Sequence, residues 1–242
     1  SVRMNYDKLE IMNSKERVDL SREGYRRGAK MPKETIGYTG LALAYERGEI
    51  GLEEFSEKVK ELETTNTDWF DILYRTPFSQ SHTISFSGGD DKSTYRSSFG
   101  YTDVKNTARG NDQTSYYASL NMDVILWNQL TLSAFLSGDH TETRAFANGV
   151  DPFGYAFSTS RVLPAYDKDG KLMYYDKNGY DYNILNELAN SGNENKARSL
   201  ITNLSARWVV TENLTVSLTL GGGSSATFAE TWFTERSNKI AF

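Results

Sequence analysis

From about Gln80 onward the chain alternates apolar and small polar side chains with a period of two, and this constrains its fold more than any other feature. In SHTISFSG, Ile84 and Phe86 alternate with Ser85 and Ser87, and after GGDDK the pattern resumes in STYRSSFGYTD. SYYASLNMDVILW puts Tyr116, Ala118, Leu120, Met122, Val124 and Leu126 on one side, with Ser119, Asn121 and Asp123 on the other. LTLSAFLSGD, SLITNLSARWVV and LTVSLTLGGG repeat the scheme. Successive side chains of an extended chain point to opposite faces, so about six strands are expected, each with a greasy and a hydroxyl-rich side.

The connections sort by length. GGDDK, WNQ and TEN are tight, whereas KNTARGNDQT and a segment from about 141 to 198 are long, and the two kinds alternate along the chain. In an up-and-down meander this puts every tight turn at one end and every long loop at the other, as in outer-membrane barrels. A Greek-key sandwich has no reason to sort its loops in this way. Alternation alone leaves both architectures open, because the greasy faces could meet either lipid or a second sheet.

Composition does not oppose a membrane barrel. Mean hydropathy is low, at −0.58, and no run approaches the roughly 18 apolar residues of a spanning helix. A spanning strand needs only about 9–11 residues, every second one apolar. The net charge of −5 and scattered Lys and Arg give no basic stripe for nucleic acid. With no cysteine, disulfides, thiolate zinc sites and a cysteine nucleophile are excluded. SVRMNYDKLE lacks the charged and apolar regions of a signal peptide. The expectation is therefore a cytosolic protein or a chain that starts downstream of its true beginning.

Residues 1–76 read as a first-strand remnant at SVRMNY followed by a helical loop, and 77–242 as the strand region. Asn13 or Ser14 can cap a helix that Gly28 stops. GLEEFSEKVKELE carries Leu52, Phe55, Val59 and Leu62 on one stripe. In NTDWFDILYRTP, Asn66 or Thr67 can cap a short helix, Trp69, Ile72 and Leu73 can face inward, and Pro77 ends it. Trp69 and Phe70 are expected to dock this helix on the barrel rim.

The run NTDWFDILYRTPFSQSHTISFSGGDDKSTYRSSFGYTD (66–103) resembles a segment early in the barrel of SusC/RagA-type TonB-dependent transporters of the Bacteroidetes outer membrane. IMNSKERVDLSREGYRRG, DPFGYAF and AYDKDGKLMYYD share that family's character, so the resemblance extends along essentially the whole chain. It implies an all-β antiparallel transmembrane segment of a plugged barrel of about 22 strands, with a helical extracellular loop near its start. It further implies a SusD-like surface lipoprotein over the mouth, TonB acting on a plug segment, and import of oligosaccharide or peptide. The chain departs from the family in having neither plug nor TonB-contacting segment and too few strands to close. Six strands leave two open edges, which lipid does not tolerate, so a piece of a longer transporter is expected. The alternative is a soluble extracellular or periplasmic β-domain that binds carbohydrate.

No enzyme or cofactor site is expected. Aligning GEIGLEEF with a calcium loop puts Leu43, Tyr45 and Arg47 where oxygen donors are required, so it reads as a turn into a helix. DKDG and DKNG read as tight turns; the competing reading is a cation site built on Asp167, Asp169 and Asp176. GGGSS lacks the Lys-Ser/Thr of a phosphate loop and reads as a bulge, a bend or a close backbone approach. His82 and His140, the only histidines, lie on different strands without ligand spacing. Glu53/Glu54 and Asp90/Asp91 read as solvated charge.

Two residue sets remain. Phe153, Tyr155, Phe157, Tyr166, Tyr174, Tyr175 and Tyr180 stud the long loop among Asp, Asn and Lys. They can stack on sugar rings or peptide side chains, or they can pack the loop on itself and on a cap lipoprotein. Tyr116, Trp127 and Trp208 lie near strand ends, where membrane-interface aromatics gather.

Overall fold

The computed structural model describes residues 9–29, 36–176 and 179–238, so the first-strand remnant at SVRMNY lies outside the described residues. The chain divides into two compact units, one of long strands and one of helices and short turns.

The first unit comprises 76–148 and 191–233. Its strands are β1 (Phe78–Gly89), β2 (Ser93–Lys105), β3 (Asp112–Leu126), β4 (Leu130–Ala145), β7 (Ser191–Thr211) and β8 (Leu214–Phe233). They form one antiparallel meander in the order β1-β2-β3-β4-β7-β8. Both strands flanking the long connection run further than the alternation suggests, so that connection spans 146–190. Tight turns join β1 to β2, β3 to β4 and β7 to β8 at one end of the sheet, and the two longer connections leave from the other.

Local chemistry fixes the tight turns. Asp90 Oδ1 accepts from the backbone N–H of Lys92 (2.9 Å) and of Ser93 (2.8 Å), and from Ser93 Oγ (3.1 Å). These donors hold its carboxyl below the usual range. In the second turn Trp127 (φ 52°) and Asn128 (φ 56°) are both left-handed, as a two-residue hairpin turn requires. The hairpins also advance. Thr94 faces Asp123, three positions before β3 ends, and Leu130 faces Trp208, three before β7 ends. Near its end β7 is irregular between Val209 and Thr211.

Gly221, Gly222 and Gly223 sit in an unbroken part of β8 paired with Asn203, Thr202 and Ile201. A Cβ on Gly221 would stand 2.8 Å from the side-chain Oδ1 of Asn203 and one on Gly223 3.2 Å from the carbonyl of Leu200, whereas one on Gly222 would meet open space.

The second unit comprises the described residues up to Arg75, the segment 149–190, and those from Thr234 on. It holds α1 (Ser14–Arg26), α2 (Tyr38–Glu46), α3 (Leu52–Thr65), α4 (Trp69–Leu73), α5 (Pro152–Ser158), α6 (Ile184–Asn190) and the short pair β5 (Tyr175–Asp176) and β6 (Asp181–Tyr182). Asn13 caps α1 in a reciprocal box with Glu16, and Gly28 follows its end at φ 68°. Neither Asn66 nor Thr67 caps α4. Asn66 instead closes α3 in the left-handed conformation, and Asp68 caps α4 by accepting from Phe70 and Asp71. Asn tolerates that conformation, and a carboxylate suits a helix start. Trp69, Phe70 and Leu73 are buried against Ala156, Ala165, Tyr182 and Ile184, joining the N-terminal helices to the long connection.

Candidate functional site

Ladder partners share a face, so the register assigns every strand residue to a side. One face carries the rows Ile84–Phe99–Ala118–Gly138–Leu200 and Val124–Leu132–Ala206–Leu218. The other carries Ser85–Ser98–Ser119–Ser137 and Thr83–Gly100–Tyr117–Asp139–Ser199. Cross-strand hydroxyl contacts tie this second face, among them Ser85–Ser98 (2.8 Å), Ser81–Thr102 (3.0 Å) and Ser115–Thr141 (3.1 Å).

No apolar residue of the six long strands is buried: Ile84 is 56% exposed, Leu204 48% and Leu218 57%. Among the described residues, the buried apolar ones apart from Ala147 belong to the helical unit. The sheet is thus a single layer, apolar on one side and hydroxyl-rich on the other. Contiguous apolar surface of this extent is rare where water is the neighbour.

Toward the long connections the apolar face gives way to rings and then to charge. His82, Tyr101, Tyr116 and His140 share a ladder row that continues to Arg198. Beyond it Lys105 lies 3.2 Å from Asp103, Lys196 3.0 Å from Glu194, and Arg144 3.5 Å from Glu194. Both histidines therefore lie on the apolar face, at its border. Beside the ring row a depression of about 790 Å³ opens where Ala118 and Gly138 leave space, and a second of about 400 Å³ lies among Met122, Leu132 and Leu218.

Tyr116 (49% exposed) stands in that ring row, Trp208 (50%) is next to the opposite end of the apolar face, and Trp127 (82%) is in a tight turn.

The loop aromatics divide into two groups. Tyr155, Tyr175 and Tyr180 are partly buried. Tyr155 stands edge-on to Trp69 at 5.1 Å and 5.9 Å from Tyr182, and burial pushes its hydroxyl up to about 12. Tyr175 donates to the carbonyl of Pro164 at 2.6 Å, and burial raises its pKa too. Tyr180 lies edge-on to Tyr182 at 6.1 Å. Phe153, Phe157, Tyr166 and Tyr174 are exposed. Phe153 and Phe157 stack at 6.3 Å with 6° between their planes, and Phe153 also leans on buried Phe70.

Asp167 Oδ1 accepts from the N–H of Asp169 (2.9 Å) and of Lys171 (2.8 Å), and Asp176 Oδ1 from Gly179 (3.2 Å). These carboxylates shape turns, and no metal-ligand group forms among the described residues. Sequence reading missed the buried Glu187, which accepts from Ser237 Oγ (2.8 Å) and from Asn238 N and Nδ2 (2.8 and 2.9 Å). Those partners lie some fifty residues apart, so no local pattern could signal the cluster.

A one-layer antiparallel meander with one apolar and one hydroxyl-rich face is a segment of barrel wall, and the comparisons agree. Over 128 residues the chain is 39% identical to the TonB-dependent receptor SusC of Bacteroides thetaiotaomicron, covering 51% of this chain and 12% of that receptor. The RagAB peptide transporter shares the fold at a TM-score of 0.63 and 21% identity, over 91% of this chain and 26% of that one. The RagAB peptide importer in its closed-closed state gives 0.64 with the same identity and coverage. No protein-family model matches. The chain spans about an eighth to a quarter of the length of these proteins. In sequence and fold it is similar to part of a SusC/RagA-type TonB-dependent transporter.

Proposed function

We propose that this chain is part of the wall of an energy-coupled outer-membrane importer. One observation carries the reading: the strands' apolar face is uncovered by the chain over the depth of a bilayer. Leu130 and His140 bound it on β4, ten positions and about 34 Å apart along the strand. Strands tilted by about 35–45° turn that into roughly 24–28 Å of height, against about 25 Å for an outer-membrane barrel's apolar band. The hydroxyl-rich face then lines the wet lumen. Tight turns point to the periplasm and long connections to the cell exterior.

On this reading Trp127 and Trp208 lie at the periplasmic interface and Tyr116 at the extracellular one, where amphipathic rings are favoured. Phe153, Phe157, Tyr166 and Tyr174 offer faces to an oligosaccharide or peptide, while Tyr155, Tyr175 and Tyr180 hold the loop in shape. The partners are a SusD-like lipoprotein over the mouth and TonB acting through a plug. Similarity to SusC and to a peptide transporter supports this assignment.

The test is fractionation and uptake by the full-length gene product. It should enter outer membranes, need detergent for extraction, and support growth on an oligosaccharide or peptide only when TonB is active. A monodisperse fold of this chain in detergent-free buffer would replace the proposal with a soluble β-domain.

A further inference from the structure

Three aromatic rings of the sheet lie over glycines, and one of them is on the hydroxyl-rich side. Tyr95 over Gly88 and Trp232 over Gly192 stand on the side of the apolar face. Tyr117 covers Gly100 in the row Thr83–Gly100–Tyr117–Asp139–Ser199 of the opposite face. With no side chain on Gly100 the phenol can lie down, and a hydrogen bond of 3.2 Å to Thr83 Oγ1 keeps it there. One side of the ring is thus pressed on the backbone, and the other is open, the residue being 42% exposed. Asp139, the ladder partner of Tyr117 on β4, is also exposed, and its carboxylate has no ion pair among the described residues. Ser119 and Ser137 face each other in the next row, so hydroxyls flank the ring and the carboxylate.

A bare ring face beside an unpaired carboxylate and two hydroxyls is complementary to a neutral pyranose. We infer that Tyr117 and Asp139 form a subsite for a neutral oligosaccharide on the luminal wall; the inference rests on the transporter reading above and selects one of its two cargo classes. The C–H face of a sugar ring lies on the phenol, and two neighbouring sugar hydroxyls donate to the two oxygens of Asp139. Hydrogen bonds to an ionised acceptor are the stronger kind, and a ring already held flat offers apolar area at little cost in side-chain freedom. A uronic acid brings a like charge to Asp139. A peptide backbone has no pair of adjacent hydroxyls to give. Asp139 directly precedes His140 at the border of the apolar band, so the subsite lies toward the extracellular end of the lumen, where cargo enters.

The experiment is a binding titration of the full-length protein, first located by membrane fractionation and then extracted in detergent. The probes are neutral hexasaccharides of glucose, mannose and galactose, the acidic hexagalacturonate, and a mixed hexapeptide library. The expected result is saturable binding of at least one neutral hexasaccharide, in preference to the uronate and the peptides. Asp139→Asn should weaken that binding about tenfold, the loss of one charge-assisted hydrogen bond. Tyr117→Ala should weaken it by a similar factor through the lost stacking surface. Should Tyr117→Ala fail to assemble, Asp139→Asn, an exposed side chain without an ion pair, still decides. Unchanged affinity in either variant, a preference for the uronate or the peptides, or failure of every neutral sugar overturns the subsite while leaving the transporter standing. Absence from the outer-membrane fraction overturns both.

Discussion

The ring of Tyr117 occupies the place where a side chain on Gly100 would begin: the two are ladder partners, and a Cβ on Gly100 would overlap the phenol. Lying flat across β2, the ring carries its hydroxyl to Thr83 Oγ1 on β1 at 3.2 Å, so one side chain spans three strands. Gly88 with Tyr95 and Gly192 with Trp232 repeat the relationship. Gly100→Ala should lift the ring, break that contact and cost about 1–3 kcal/mol through overpacking. Urea unfolding of the full-length protein in micelles measures it, and Tyr117→Phe separates the hydroxyl's share.

The two faces of β7 should respond oppositely to charge. Leu204 lies mid-way along the apolar face and Ser205 on the reverse. Leu204→Arg is expected to cost about 2–4 kcal/mol in a bilayer, whereas Ser205→Arg stays near neutral. Folding titrations into lipid vesicles give both values, and equal penalties would contradict the lipid-facing assignment.

Trp127 holds a left-handed backbone with its indole 82% exposed. A bulky residue there carries a strain on the order of 1–3 kcal/mol, which the interfacial position proposed for the indole would offset. Trp127→Asn should relax the turn and raise stability in detergent, yet remove one component of tryptophan quenching by brominated lipid.

Alkaline pH should loosen the helical unit. The hydroxyl of Tyr155 rises from its ordinary 10.0 to about 12, and burial raises Tyr175 and Tyr182 as well. The folded unit keeps these protons after the unfolded chain has lost them. Their stabilisation is therefore complete below pH 10 and declines as pH climbs through the folded values. Phenolate absorbance against pH should show a late-titrating group that shifts to ordinary values in denaturant.

Glu187→Ala should free the segment after β8. The carboxylate accepts three hydrogen bonds from Ser237 and Asn238, and Asn238 Nδ2 also donates to the carbonyl of Asn183 at 2.8 Å. Leaving those buried donors unmatched costs about 1–3 kcal/mol. Hydrogen exchange at 183–190 and at 234–238 should quicken together, with the sheet unchanged.

Features set by neighbouring residues were legible in the sequence. Alternation revealed the strands, because a period of two follows from backbone geometry, and the short turns displayed their own chemistry in Asp90 and Gly89. Asn13, one of two adjacent cap candidates with Ser14, and Gly28 as stop followed for the same reason. What stayed hidden was long-range. Trp69 meets Tyr155 some ninety residues on, and Glu187 meets Asn238 across fifty, so only folding brings them together. The seven loop aromatics looked alike in sequence, yet Tyr155 and Tyr175 are scaffold while Phe153 and Phe157 face outward. Burial separates them, and burial is a property of the folded unit.

The advance of the hairpins prescribes a geometry. Each tight turn reaches roughly two to three residues beyond its predecessor, so the sheet slips about 4–5 Å lengthwise for each 4.8 Å it grows sideways. If those turn tips are to stay level with a membrane surface, the strands must lean at about 40–45°, close to the inclination of outer-membrane cylinders. The staircase written into six strands thus carries the pitch of a far larger tube.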